Sequence, residues 1–146
     1  MKEAIMLSIK PKYANKIFSG EKTVELRRVC PKGLSPGSLV LVYVSSPDQE
    51  LRGAFKVSRV VREPLNALWK KVIRKAGVSR KDYDAYFKNK SHGIGIFIEE
   101  LWCLREPVQL KQLKKTSKNF HPPQCFRYLR KENSLFEKFS KFMAVN

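Results

Sequence analysis

The chain has 146 residues, 42% of them hydrophobic, which suits one compact domain over 1–146 and excludes global disorder. Thirty Lys and Arg stand against 13 Asp and Glu, a formal charge of +17. A surplus that large repels itself in the folded state and points to a polyanionic partner, nucleic acid first, with a membrane-surface or solubility role as runner-up. A solvated lysine-rich face is the bland alternative, and Lys111, Lys114, Lys115, Lys118, Lys138 and Lys141 fit it.

No apolar run approaches the ~20 residues that cross a bilayer, and no secretory h-region opens the sequence. Cys30, Cys103 and Cys125 are odd in number and lack Cys-x-x-Cys spacing. They are expected as reduced thiols of a cytoplasmic protein. His92 and His121 lack metal-ligand spacing with another His or Cys, so neither a metal nor a cofactor is expected.

In chain order, residues 4–9 read as a buried first strand. Pro11 suits a first helical turn. Tyr13, Ala14, Ile17 and Phe18 recur at helical spacing, predicting a helix over 11–19 that stops at Gly20. Lys22 to Arg28 alternates as a strand, with Val24 and Leu26 toward the core and Thr23, Glu25 and Arg27 on the opposite face. Residues 30–38 form a Pro/Gly loop, 39–45 an apolar strand, and Ser46-Pro47-Asp48 a turn. Residues 51–62 alternate with Ala54 outward, and Val60-Val61 suggests a bulge. A helix over 64–75 carries Leu65, Leu68, Val72 and Ile73 on one stripe. Ser79-x-x-Asp82 resembles a capping box for a second helix that buries Tyr83, Tyr86 and Phe87. Residues 93–104 read as a long strand with close backbone approach at its glycines. A helical turn at 107–114, a short strand at 124–129 and a terminal helix over 132–143 follow. Five or six strands with inserted helices give a small closed sheet, an α+β domain.

Lys10-Pro11 and Gly20-Glu21-Lys22-Thr23-Val24-Glu25-Leu26-Arg27-Arg28 together resemble the signature of the ASCH domain, a branch of the PUA-like superfamily. Tyr43-x-Ser45-Ser46-Pro47, Gly93-Ile94-Gly95-Ile96 and Pro122-Pro123-Gln124-Cys125-Phe126-Arg127-Tyr128-Leu129 extend the resemblance over nearly the whole chain. It implies a PUA-like closed β-barrel with peripheral helices and a cleft beside the first helix. The expected partner is RNA or a modified nucleobase, in a translational or transcriptional setting. Some members are hydrolases, acting on N4-acylated cytidine or on RNA. In the amidohydrolase branch a lysine matching Lys22 is catalytic, with a threonine three residues on and a helical acid that aligns with Asp82. Here Glu25 holds the threonine position, and Cys125 stands where serine is common.

The candidate residues carry alternatives. Lys22 is a general base, a phosphate contact or a solvent lysine. Glu25 is its acid–base partner, a salt-bridge orienter for Lys22 and Arg27, or an acceptor for an exocyclic amine. Alternation places Arg27 on Glu25's face, while the resemblance puts Arg28 on the ligand side. Lys10 precedes a helix N-terminus that favours an anion. Tyr43, Ser45 and Ser46 supply hydroxyls to a base or phosphate, or only turn chemistry. Asp82 is a catalytic acid or simply a helix cap. Gln124 is suited to a base edge. Cys125 has His121 four residues away but no third orienting group, so it reads as a packed thiol beside the ligand. Phe126 and Tyr128 stack on a base or join the core.

Overall fold

A computed structural model describes residues 3–117, 120–130 and 137. The strands are β1 Glu3–Ile9, β2 Val24–Arg27, β3 Leu39–Val44, β4 Glu50–Pro64, β5 His92–Gln109 and β6 Phe126–Arg130. The helices are α1 Pro11–Phe18, α2 Leu65–Val72, α3 Arg80–Tyr86 and α4 Leu110–Thr116. The expected terminal helix over 132–143 falls almost wholly outside the described residues.

All six strands form one sheet, ordered β2-β5-β4-β3-β1-β6. β1 and β3 run parallel, in register from Ala4↔Leu39 to Ile9↔Val44, so the chain crosses over between them through α1 and β2. The other pairs are antiparallel. Burial on both faces explains the continuous apolar runs of β1 and β3. Ile5, Leu7 and Ile9 join Val40, Val42, Val44, Phe55 and Ile96 with Ala14 and Ile17 of α1. Ala4, Met6, Leu41 and Tyr43 pack on the other face with Leu113 of α4 and Phe120. Ala54, expected outward, is fully buried in that second cluster because α4 covers it.

A third cluster joins Val24, Leu26 and Phe97 to Leu68, Val72, Tyr83 and Phe87. The Ser79 hydroxyl accepts from the Asp82 N–H at 3.1 Å, as the capping pattern predicted. α2 ends earlier than its stripe suggested, and Ile73 just beyond it is 51% exposed. A Cβ on Gly93 would sit 2.7 Å from the Phe87 ring, so the close approach expected of this glycine is real. The bulges of β4 fall near Leu51–Gly53 and Lys56–Arg59, ahead of the Val60-Val61 doublet.

The expected closed barrel needs correction. β2 and β6 are the two ends of the strand order, with no ladder between them. β2 is only four residues long and spends its pairing on β5. A side chain spans the gap instead. Arg27 of β2 donates through Nη1 to the Ser8 carbonyl of β1 at 3.3 Å and through Nη2 to the Cys125 carbonyl, just before β6, at 2.9 Å.

Candidate functional site

The entry to β2 is built by the segment after α2. The N–H groups of Thr23 and Val24 both donate to the Lys75 carbonyl, at 2.7 and 3.1 Å. The Lys22 N–H donates to the Lys16 carbonyl at 2.9 Å. The next two carbonyls of the segment take ammonium groups: Ala76 from Lys22 Nζ at 2.5 Å and Gly77 from Lys16 Nζ at 2.8 Å. Gly77 has φ +64°, and a Cβ there would lie 3.3 Å from the Lys22 Cβ, so glycine answers both conformation and space.

Lys22, Glu25 and Arg27 are the buried charged residues among those described, at 2%, 5% and 9% exposure. One Glu25 oxygen lies 3.7 Å from Lys22 Nζ and the other 3.1 Å from Arg27 Nη1. The Tyr13 ring of α1 covers Lys22, whose ammonium is 5.2 Å from the ring centroid. Taking ions out of water costs several kcal/mol each, so a group here persists only with close partners. Two cations share one carboxylate, and the triad keeps one surplus positive charge.

Burial is the main cause that lowers the Lys22 pKa from its ordinary value. Glu25 pulls it back up, while Lys16 and Arg27 add to the lowering. Burial also works against the Arg27 charge, but Glu25, with Tyr86 and Cys125, more than offsets it and the Arg27 pKa is raised. Burial pushes up the Tyr86 phenol, whose hydroxyl donates to the Leu26 carbonyl at 3.2 Å. The arrangement thus offers an ammonium that releases its proton more readily than a free lysine, a carboxylate beside it, and a fixed guanidinium.

The remaining candidates are placed as follows. Lys10 is exposed, and its carbonyl accepts the first bonds of α1 from Tyr13 and Ala14. Asp82 is exposed and pairs with Lys12 at 3.7 Å, so α3 does not bring it into the triad. Arg28 is exposed and donates to the Tyr86 and Lys88 carbonyls at 2.8 and 3.3 Å, pinning the end of α3. Arg27 is therefore the arginine that joins Glu25, as alternation required. Tyr43 is 2% exposed in the α4-side cluster, and its hydroxyl has no hydrogen-bond partner among the described residues. Burial raises its pKa. The Ser45 N–H donates to the Ile9 carbonyl at 3.0 Å, and its hydroxyl lies 3.5 Å from the same oxygen. Ser46 is exposed and precedes a cis Pro47. Gln124 and Cys125 are exposed, and Cys125 meets Arg27 through its carbonyl rather than its thiol.

Three contributors escaped the sequence reading. Tyr13 packs against the core as its helical spacing predicted, but that spacing did not show that its ring also roofs Lys22. The carbonyls of Ala76 and Ser8 leave no side-chain signal at all. Among the described residues, no group of three His, Cys, Asp or Glu comes together to hold a metal, and no helix is long and apolar enough to cross a membrane.

A single mixed sheet with a crossover helix, and a buried charged triad beside that helix, gives an α+β domain of the kind found in the PUA-like class. More narrowly, the chain belongs to the ASCH domain family, whose sequence profile matches residues 7–103. An ASCH domain-containing ribonuclease of Zymomonas mobilis is 34% identical over 134 residues, spanning 91% of this chain and 88% of that protein. The crystal structure of ASCH from Zymomonas mobilis superposes with a TM-score of 0.84 at 30% identity, covering 97% of this chain and 94% of that one. Large ribosomal subunit protein uL22 of Ureaplasma parvum is 30% identical over 129 residues, 88% of this chain but only 40% of that protein.

Proposed function

We propose that this chain binds RNA in the cleft beside α1 and cleaves it there, with Lys22 moving the proton. The observation that carries the reading is the buried Lys22 ammonium, with its lowered pKa, held beside Glu25 and Arg27. The name of the Zymomonas relative supports it. In this reading neutral Lys22 accepts the proton of a ribose 2′-hydroxyl as that oxygen attacks the adjacent phosphorus. The bond from phosphorus to the 5′-oxygen breaks, and the Lys22 ammonium returns the proton to that leaving oxygen. The products are a 2′,3′-cyclic phosphate and a free 5′-hydroxyl. Glu25 stabilises the ammonium between the two transfers, and Arg27 faces the charge that builds on the phosphoryl oxygens. Tyr13 must swing aside to admit the substrate.

The test is cleavage of end-labelled single-stranded RNA by the native chain and by Lys22→Met. General acid–base groups contribute about 10²–10⁴-fold. Lys22→Met is expected to lose that much in kcat while still binding RNA, and the native products should carry 2′,3′-cyclic phosphate. Undiminished cleavage by Lys22→Met overturns the role given to Lys22.

A second reading is a pure RNA- or nucleobase-binding module. Glu25 is already paired with two cations, and Lys22 is satisfied by the Ala76 carbonyl, which suits a rigid recognition wall. Salt-dependent RNA binding without turnover selects it. An N4-acetylcytidine substrate in parallel tests for amide hydrolysis by the same lysine.

A further inference from the structure

Phe97 of β5 lies under two cations from separate elements. The Arg59 guanidinium of β4 sits 4.1 Å from its ring centroid, and the Lys75 ammonium, from the segment after α2, sits 5.7 Å away. Phe97 is 7% exposed, packed into the third core cluster with the two cations against its ring. Cation–π contacts at exposed sites are only weakly favourable. They do not neutralise charge, and among the described residues neither cation has a carboxylate partner. On the strands around them Glu63 pairs with Lys71 and Glu99 with Lys56, and neither Glu100 nor Glu106 of β5 forms an ion pair with Arg59 or Lys75. Two unneutralised like charges converging on one ring form a local focus of positive potential.

This focus adjoins the cleft. Phe97 is the register partner of Val24, and the Lys75 carbonyl receives the N–H groups of Thr23 and Val24. The next carbonyl, that of Ala76, holds Lys22. The segment that buries the Lys22 ammonium thus turns the Lys75 side chain outward toward Arg59.

We propose that Arg59 and Lys75, seated on Phe97, form a second RNA contact that grips backbone phosphates flanking the nucleotide in the Lys22 cleft. The proposal rests on the RNA reading above. Neither side chain reaches the reacting atoms, and their effect falls on affinity and on KM rather than on kcat. A single strand passing from the cleft over the start of β2 meets them in turn.

The experiment measures fluorescence anisotropy of a labelled single-stranded RNA across a salt series. It compares the native chain, Arg59→Gln/Lys75→Gln, and a charge-matched control, Lys111→Gln/Lys114→Gln, on the exposed surface of α4. Each phosphate contact on a single strand contributes about 0.7 to the slope of log K against log salt. The Arg59/Lys75 pair should lower the magnitude of the slope by about 1.4 and raise KM with kcat unchanged, while the α4 pair should leave the slope near native. An unchanged slope in the Arg59/Lys75 variant, or an equal fall in the control, overturns the second contact and leaves the RNA reading standing. A native chain with no salt-dependent RNA binding, or one that binds anionic phosphatidylserine vesicles more tightly than RNA, overturns both. Circular dichroism melts confirm that the variants fold, and single Arg59→Gln and Lys75→Gln chains, each expected to lose about 0.7, decide the matter if the double variant does not.

Discussion

Two ionic clusters flank α1 and are built with opposite stoichiometry. At the start of β2, two cations, Lys22 and Arg27, share the single carboxylate of Glu25, and all three are buried. Near the start of β4, one cation, Arg52, is shared by two carboxylates, Asp48 at 2.6 Å and Glu50 at 3.0 Å. Arg52 also donates to the Asn15 side chain of α1 at 2.5 Å. The second cluster leaves no surplus positive charge and ties the helix to the β3–β4 turn. The first keeps a positive surplus where water is excluded. A brace needs only matched partners; a buried site with a surplus cation leaves that charge partly unmatched, as an anion-binding role would require.

The largest break in this comparison is expected at Glu25. Glu25→Ala leaves Lys22 and Arg27 buried without their anion, a loss of about 3–5 kcal/mol for breaking a buried pair. Urea unfolding should show it as a lower midpoint at unchanged m. Arg52→Ala removes three hydrogen bonds, but the cluster is only partly buried, with the Arg52 and Asp48 side chains 14% and 29% exposed against 2% and 6% for Lys22 and Glu25. Screening there reduces the expected loss to about 1–2 kcal/mol. If Arg52→Ala costs as much as Glu25→Ala, the claim that burial separates the two clusters fails.

How far the sequence announced these clusters depends on the reach of the contacts. Alternation along β2 put Glu25 and Arg27 on one face, and the structure keeps them there. The same pattern did not reveal that this face is covered, because the cover comes from far along the chain. The Arg27 bond to Cys125 spans 98 residues and the Lys22 bond to Ala76 spans 54. Period-two patterning identifies a shared face, not what lies against it. For the same reason Ala54 was assigned to the wrong side, since its neighbour α4 arrives after β5. Ser79 shows the converse. Its capping of α3 through the Asp82 N–H was local, readable from the Ser79-x-x-Asp82 spacing, and it needed no distant partner. Tyr86, expected in the core, is 40% exposed and uses its hydroxyl rather than its ring to hold β2, through the Leu26 carbonyl. Helical spacing does not separate those two uses of a tyrosine.

The smallest expected effect sharpens the comparison through pH. The Lys22 pKa is lowered in the folded chain, chiefly by burial, while the unfolded chain keeps the ordinary lysine value of about 10.4. Between the folded value and that unfolded value, the unfolded chain binds more protons. Stability from Lys22 therefore rises with pH across this window and levels off above it. Below the folded value both states carry the proton, and the cost of burying the ammonium is present in full. Three tyrosines act the other way: burial of their hydroxyls raises the pKa values of Tyr43, Tyr83 and Tyr86, so their contribution falls as pH climbs past 10. Lys22→Met retains those tyrosines and removes only the lysine, so subtracting its stability from the native chain's isolates the Lys22 contribution. That difference should shift in favour of the native chain as pH rises toward about 10.4. Arg52→Met leaves Lys22 in place, so the corresponding subtraction is the control that should stay flat. A flat profile for Lys22 as well would mean that burying its ammonium carries no extra cost over the partly buried brace, and the distinction between the two clusters would then rest on the count of partners alone.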